Sequence, residues 1–222
     1  TASSCDFIFP ADPSSVLKFK ELGYKTFWLP VESSGQIFRE ISEKKTFDVL
    51  FFGRQKNNRS KVIDFLKLNN INVFECGPND NISNSTEKLN KLINQSKIVL
   101  NFTETDNTKS YFNPLSSFKY YFQIKGRVYF VGMCGSLIVS EYSPSHELLF
   151  DKSELQQFTT KEDCLKIIKD LLSSNVKLTE MTKKYKTKCL QFEDSSYVIN
   201  IKNFIDKISA NSYKVEVTIP YW

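Results

Sequence analysis

One histidine, His146, occurs in the 222 residues, so any mechanism built on a Ser/His/Asp or Cys/His pair has a single place to go. Neither G-x-x-x-x-G-K-[ST] nor G-x-G-x-x-G is present, which removes the two commonest glycine loops that cradle phosphate. The longest apolar run, residues 129–139, has 11 residues and two glycines and is too short to span a bilayer. No C-x-x-C pair occurs. The five cysteines, Cys5, Cys76, Cys134, Cys164 and Cys189, are odd in number and scattered, against a disulfide framework and against a zinc site. A reducing, cytoplasmic compartment is the simpler expectation. No carboxylate pair at metal-ligand spacing stands out, so neither a metal nor a cofactor is expected. No basic helix with interleaved aromatics appears, which leaves nucleic acid unsupported as a partner. Repeats and low-complexity segments are absent. No secretory leader is visible, and the opening Thr1 reads as the start of a processed or partial chain.

What is present is ordinary globular material. The content is 41% hydrophobic, enough for one sizeable domain or one domain with a fragment of another. The net charge of +5 gives a mildly basic surface, compatible with phosphate-bearing ligands or peripheral association with an anionic membrane. Sequons at Asn58, Asn81, Asn84, Asn94 and Asn101 read as coincidence in a chain rich in Asn, Ser and Thr.

Along the chain, residues 5–9 and 24–29 read as short strands around a helix opened by Asp12-Pro13 and closed by Gly23. Residues 31–45 read as a connector with one helical turn near Phe38, and a domain boundary is placed there. Strands are expected at 47–52, 72–75 and 98–102, with helices over 59–68 and after an Asn84/Glu87 capping pair. Residues 103–122 break this rhythm with a polar and then aromatic segment. Residues 126–147 then give a short apolar helix, a stop at Gly135, a buried strand and a polar turn. A Thr159/Glu162 capping box, a lysine-rich helix to about Leu190, a last amphipathic helix over 197–208 and a tail complete the chain. Strands alternating with helices imply a Rossmann-like parallel sheet, whose ligands sit beyond the carboxyl ends of its strands.

Three places could carry chemistry. In residues 51–60 a buried strand delivers Gly53 and then Arg54, Lys56 and Arg59 before a helix, an arrangement able to hold a diphosphate, or simply a solvated basic loop. Lys125 and Arg127 precede the central helix; facing the same cleft, they would stabilise a leaving group that departs with negative charge. Alternatively Lys125 solvates a loop and Arg127 packs its stem on aromatics. His146 is a general-base candidate or a polar loop residue, and Glu147 suits either the first turn of a helix or a ligand hydroxyl.

The pieces GYKTFWLPVE (23–32), FDVLFFGRQKNNR (47–59), INVFECGP (71–78), SKIVLNF (96–102), KGRVYFVGMCGSLIVSEYSPSHELLF (125–150) and the block 151–172, in this order, resemble the donor-binding half of GT-B glycosyltransferases, and within them the CgeB-like group. The resemblance implies that residues 1–45 hold the last strands of an acceptor-side domain and a linker. Residues 46–209 would be a donor-binding Rossmann-like domain, and 210–222 a tail. It implies transfer from a nucleotide-diphosphate sugar to an acceptor (glycan, protein or small molecule), without a metal. The diphosphate would be met by Gly53, Arg54, Arg59, Lys125 and Arg127, and the sugar and nucleotide by Glu141, Ser143, Ser145 and Glu147. The family pattern G-R-x-F-E carries a ribose-binding glutamate where this chain has Phe130, and Phe122 stands where many relatives carry a second acid. A phenylalanine accepts no hydrogen bond from ribose hydroxyls. The alternative reading is therefore a non-catalytic GT-B-like binding or interaction module. A stand-alone flavodoxin-like domain is a third.

Overall fold

Residues 47–52, FDVLFF, form strand β1 (Phe47–Phe52), whose last four side chains are buried. A strand this apolar on both faces belongs inside a parallel sheet covered by helices. The computed structural model describes residues 7–31, 33–55, 58–77, 80, 85–103, 123–193, 202–203 and 205–206. Around β1 it builds a five-stranded parallel sheet with β2 (Val73–Cys76), β3 (Ser96–Asn101), β4 (Leu137–Glu141) and β5 (Gln156–Phe158), in the order β2-β1-β3-β4-β5. Leu50 aligns with Phe74 on one side and Val99 on the other, and Val99 aligns with Ile138. Val49, Leu50, Ile98, Val99, Leu100, Leu137, Ile138 and Val139 are all fully buried, so the core runs through the middle of the sheet.

Helices flank the sheet: α1 (Pro13–Glu21), α2 (Asn58–Leu68), α3 (Thr86–Asn94), α4 (Arg127–Met133), α5 (Pro144–Leu149), α6 (Lys161–Ser173) and α7 (Asn175–Cys189). α4 lies close against α7. A Cβ on Gly132 would stand 2.4 Å from Cys189 Sγ, so only glycine fits that crossing. Tyr185 of α7, fully buried, donates its hydroxyl to Val128 O of α4 and locks the pair. Gly135 has φ +68 and ends α4 in the left-handed conformation expected of it. Glu162 and Asp163 in the first turn of α6, and Lys186 and Lys188 in the last turn of α7, complement the helix dipoles.

The segment before β1 is tied to this body. Asp12 caps α1, and it also accepts from Ile124 N at 2.8 Å and from the Ser145 hydroxyl. Asn94 accepts from Ile41 N and donates to Arg39 O, at 2.9 and 3.0 Å, and Trp28 packs edge-on to Phe192.

Several local expectations change. Of the strand expected at 5–9 only residues 7–9 are described, and with residues 24–29 they contribute one parallel bridge, Ile8 to Thr26. The cap of α3 is Ser85, which accepts from Lys88 N; the expected Asn84 lies outside the described residues. The cap of α6 is Thr160 rather than Thr159, paired with Asp163 in place of Glu162. The polar turn after β4 is the start of α5, capped by Ser143 with Pro144 in its first position. β5, a short polar strand, has no counterpart in the sequence reading; only its neighbour β4 gives it a place. The aromatic segment 104–122, most of the helix expected at 197–208 and the tail 210–222 lie outside the described residues. Asn94 and Asn101 are 2% and 0% exposed, which leaves those two sequons no access to a glycan. Among the described residues no helix is long and apolar enough to cross a membrane.

Candidate functional site

The strand order places a topological switch point between β1 and β3, where consecutive crossovers leave in opposite directions and a crevice opens beyond the carboxyl ends. Both strand ends carry what lines it. Past β1 come Gly53 and Arg54, with Arg59 in the first turns of α2; past β3 comes Phe102; and Lys125 and Arg127 stand at the start of α4. Phe51, Arg54, Arg59, Phe102, Lys125 and Arg127 enclose a cleft of about 230 Å³. Its described lining holds four cations, two aromatic rings and no carboxylate.

Three of the four cations are positioned by neutral groups. Arg127 donates to Phe52 O at 2.5 Å and lies over the Phe52 ring, 4.3 Å from its centroid. Gly53, at φ +129, is the residue beneath it: a Cβ there would stand 3.2 Å from Arg127 Nη2. Arg59 donates to Arg54 O at 3.0 Å, with its guanidinium 5.9 Å from the Phe102 ring centroid. Lys125 donates to Gln123 Oε1 at 3.1 Å. The electrostatic result is a concentrated positive field. Burial, reinforced by the Arg59 and Arg127 charges, pushes Lys125 down to about 8, and burial with Arg59 pushes Arg127 down to about 10. An anion in this cleft would relieve that mutual repulsion.

Phe130 belongs to a stack beside the cleft. Its ring lies 4.1 Å from Phe38, nearly parallel at 16°, and 6.1 Å from Phe52, whose other neighbour is Arg127. Phe130, which the resemblance aligned with a ribose-binding glutamate, is thus taken up in aromatic packing. Phe122 lies outside the described residues, as does Lys56.

The structure brings Arg54, Arg59, Lys125 and Arg127 together around the cleft with Gly53 under Arg127, and none of Glu141, Ser143, Ser145 and Glu147 is among its lining residues, although the Glu141 charge reaches Lys125. Glu141 accepts from Thr103 N and Oγ1, at 2.9 and 3.2 Å, and so joins the ends of β3 and β4. Ser143 and Ser145 are fully buried, the first capping α5 and the second bonded to Asp12. Glu147 is exposed, 3.5 Å from the Tyr142 hydroxyl. His146 is fully buried, so it is not the polar loop residue that the sequence allows. Gln157 Oε1 accepts from Ser143 N at 2.7 Å, which fixes it as an acceptor and leaves the proton of the 3.2 Å contact on His146 Nδ1. His146 Nε2 is buried with no partner, and burial pushes the imidazole down to about 4. Its side chain is neutral at neutral pH and closed off from the cleft.

Two lining residues, Phe51 in β1 and Phe102 just past β3, carry no chemical signal in the sequence beyond their apolar character. Asp12 is legible as the cap of α1, but its bond to Ile124, 112 residues on, is invisible to any local motif. Among the described residues no group of three or more His, Cys, Asp or Glu side chains could hold a metal ion.

The sequence matches the model of the glycosyl transferase-like family over residues 36–205. No curated protein matches it. Solved structures share the fold at low identity. The sucrose-phosphate synthase of Thermosynechococcus elongatus superposes with TM-score 0.66 at 9% identity, covering 93% of this chain and 59% of its own. HepE of Anabaena, in complex with UDP and glucose, gives 0.65 at 12% identity, covering 92% and 63%. TarM of S. aureus gives 0.60 at 12% identity, covering 91% and 44%. The chain therefore spans about three fifths or less of the length of these structures.

Proposed function

The chain belongs to the glycosyl transferase-like family, and on that premise we propose that its cleft holds the diphosphate of a nucleotide-sugar donor during glycosyl transfer. One observation carries this reading: four cations from two chain segments, the β1–α2 junction and the start of α4, converge at the switch point of a parallel sheet with no carboxylate among them. Transfer breaks the bond between the sugar's anomeric carbon and the diphosphate oxygen, and the electron pair leaves with the nucleoside diphosphate. Arg54, Arg59, Lys125 and Arg127 neutralise that departing charge, the part a divalent metal plays elsewhere, so the reaction proceeds without one. An acceptor hydroxyl oxygen forms the new bond to the anomeric carbon, and its proton leaves with the nucleoside diphosphate. Gly53 allows the β1–α2 loop to approach the ligand closely, and Glu141, whose charge reaches Lys125, borders the sugar side with the exposed Glu147, while the buried Ser143 and Ser145 hold the β4–α5 junction beneath them.

Within the family, the ordered motif match favours the CgeB-like group. Residues 46–209 act as the donor half, and residues 1–45 as the trailing part of an acceptor-side domain with its linker. The acceptor is a glycan, a protein or a small molecule, and the mildly basic surface is compatible with peripheral membrane association. UDP is the first nucleotide to test, because HepE has been solved with UDP. Isothermal titration of the folded protein with UDP, GDP and their sugars should give one saturable site. Absence of binding to every one of them would sink the reading.

A second reading, a binding module without transfer, is favoured by Phe130, which lies in an aromatic stack where the family carries a ribose-binding acid. Release of free sugar from UDP-glucose by the protein, or transfer to an acceptor, decides against it.

A further inference from the structure

At the opposite edge of the sheet a second cleft, of about 440 Å³, is lined by Lys45, Lys97, Lys183 and Lys186, with Asn175 and Thr179 among its other walls. Lys45 precedes β1, Lys97 lies at the start of β3, and the rest of these side chains come from one face of α7. The length of β1, at about 3.3 Å per residue, keeps this cleft roughly 17 Å from the cationic cleft beyond the strand ends. The two do not share a residue.

Four ammonium groups here face one carboxylate, Glu40. That carboxylate is bonded to Lys186 and lies over Gly135, where a Cβ would stand 3.0 Å from its Oε1. The Lys186 bond, and beyond it the Lys186 and Lys45 charges, hold Glu40 below the usual carboxylate range. An anion carried by the chain itself is thus already seated among these lysines. Lys45 is oriented without a carboxylate bond: its ammonium donates to Gly135 O and Ser136 Oγ, both at 3.0 Å, which leaves a third N–H for another acceptor. Lys97 is paired with Asp48 at 2.7 Å. Asn175, Thr179 and Lys183, spaced four residues apart, form a donor stripe along α7. No arginine is among the lining residues, so the flat two-pronged recognition typical of carboxylates is missing, whereas point-charge ammonium groups and a hydroxyl suit a tetrahedral anion.

We propose that this amino-edge cleft is a second anion site, built for a phosphomonoester, with Lys45 and Lys183 as its principal contacts and Glu40 as an internal competitor. The site is independent of the donor reading, since neither its residues nor its ligand enters the transfer step. A phosphomonoester could come from a soluble sugar phosphate or from a lipid headgroup, and the chemistry recognised is the same.

The test is calorimetric titration of the protein, with UDP in excess, using glucose 6-phosphate, inorganic phosphate and glucose. Glucose 6-phosphate and phosphate should bind saturably at millimolar concentrations, and glucose should not. Lys183→Glu, at an exposed position where the fold is not at stake, should weaken glucose 6-phosphate binding by about twofold to fivefold, the scale of a single exposed charge pair. Glu40→Gln should strengthen it, and Arg59→Ala should leave it unchanged whether or not UDP binds. Flotation with phosphatidylcholine vesicles containing phosphatidate separates the sources: vesicle binding displaced by glucose 6-phosphate assigns the site to a lipid headgroup, and sugar-phosphate binding without vesicle binding assigns it to a soluble ligand. The proposal is overturned if both phosphates titrate no better than glucose. It is equally overturned if Lys183→Glu binds glucose 6-phosphate as the parent does, or if Arg59→Ala abolishes the binding.

Discussion

Arg59 and His146 are the two residues whose roles the surroundings alter most. Arg59 bridges α2 and the Arg54 carbonyl, and its charge acts on both Lys125 and Arg127. Replacing it with alanine removes a charge-assisted contact of about 1.5–3 kcal/mol to a bound diphosphate, on the order of tenfold to a hundredfold in Kd for UDP. The melting temperature should barely move, because the side chain serves the cleft more than the core; calorimetric titration beside a thermal melt checks both. His146 acts on stability instead. Its folded pKa, about 4, lies below the unfolded value of about 6.5, so between these limits the unfolded chain binds the extra proton. The contribution is whole above pH 6.5 or so and is lost as pH falls toward 4. Urea denaturation at pH 7 and pH 5 should show the parent losing about 2 kcal/mol more than His146→Gln. Equal losses would mean that the ring is not buried as a neutral group. The presence of a lone histidine was legible in the sequence, and its burial behind Gln157 was not, since Gln157 comes from a strand with no apolar signature.

Among the elements, the β1–α2 and β4–α5 junctions show how far local pattern reaches. FDVLFF is apolar enough to declare a central strand, and the glycine after it declares a turn; both follow from side-chain chemistry within a few residues. That Gly53 sits under Arg127, 74 positions on, follows only from the parallel pairing that sets β1 beside β3 and brings α4 over the strand ends. Gly53→Ala therefore meets two obstacles, a φ of +129 that L-residues rarely adopt and a guanidinium 3.2 Å from the new methyl. The strain is worth about 1–3 kcal/mol, so the urea midpoint should fall, and UDP affinity should fall with it as Arg127 is displaced. A midpoint shift with unchanged affinity would mean that Arg127 does not contact the ligand. At the second junction, Ser143-Pro144 is a sequence signature of a helix start, yet its polar residues suggest a loop until burial is known.

At the scale of the whole molecule, the cysteines report on packing. Cys76, Cys134, Cys164 and Cys189 are buried and free, and burial raises the thiols of the last three, Cys134 to about 12. With a thiol reagent at pH 8 these four should react only as fast as the molecule opens; two or more fast thiols would contradict the packing. The strand–helix alternation, the parallel sheet and the basic loops after β1 and before α4 were determined by the sequence alone, because periodicity, glycine placement and charge act over short stretches. Helix caps slipped by one residue, since adjacent Ser, Thr and Asn side chains offer nearly equal caps and tertiary contacts choose among them. Only the tertiary structure decided that β5 exists, that Asp12 bonds Ile124 and Ser145, and that Phe130 stacks on Phe38. It likewise decided that four cations share one cleft while four lysines share another at the far edge. Each of these depends on groups distant in sequence being brought within a few ångströms by the order of strands, and no local pattern encodes that order.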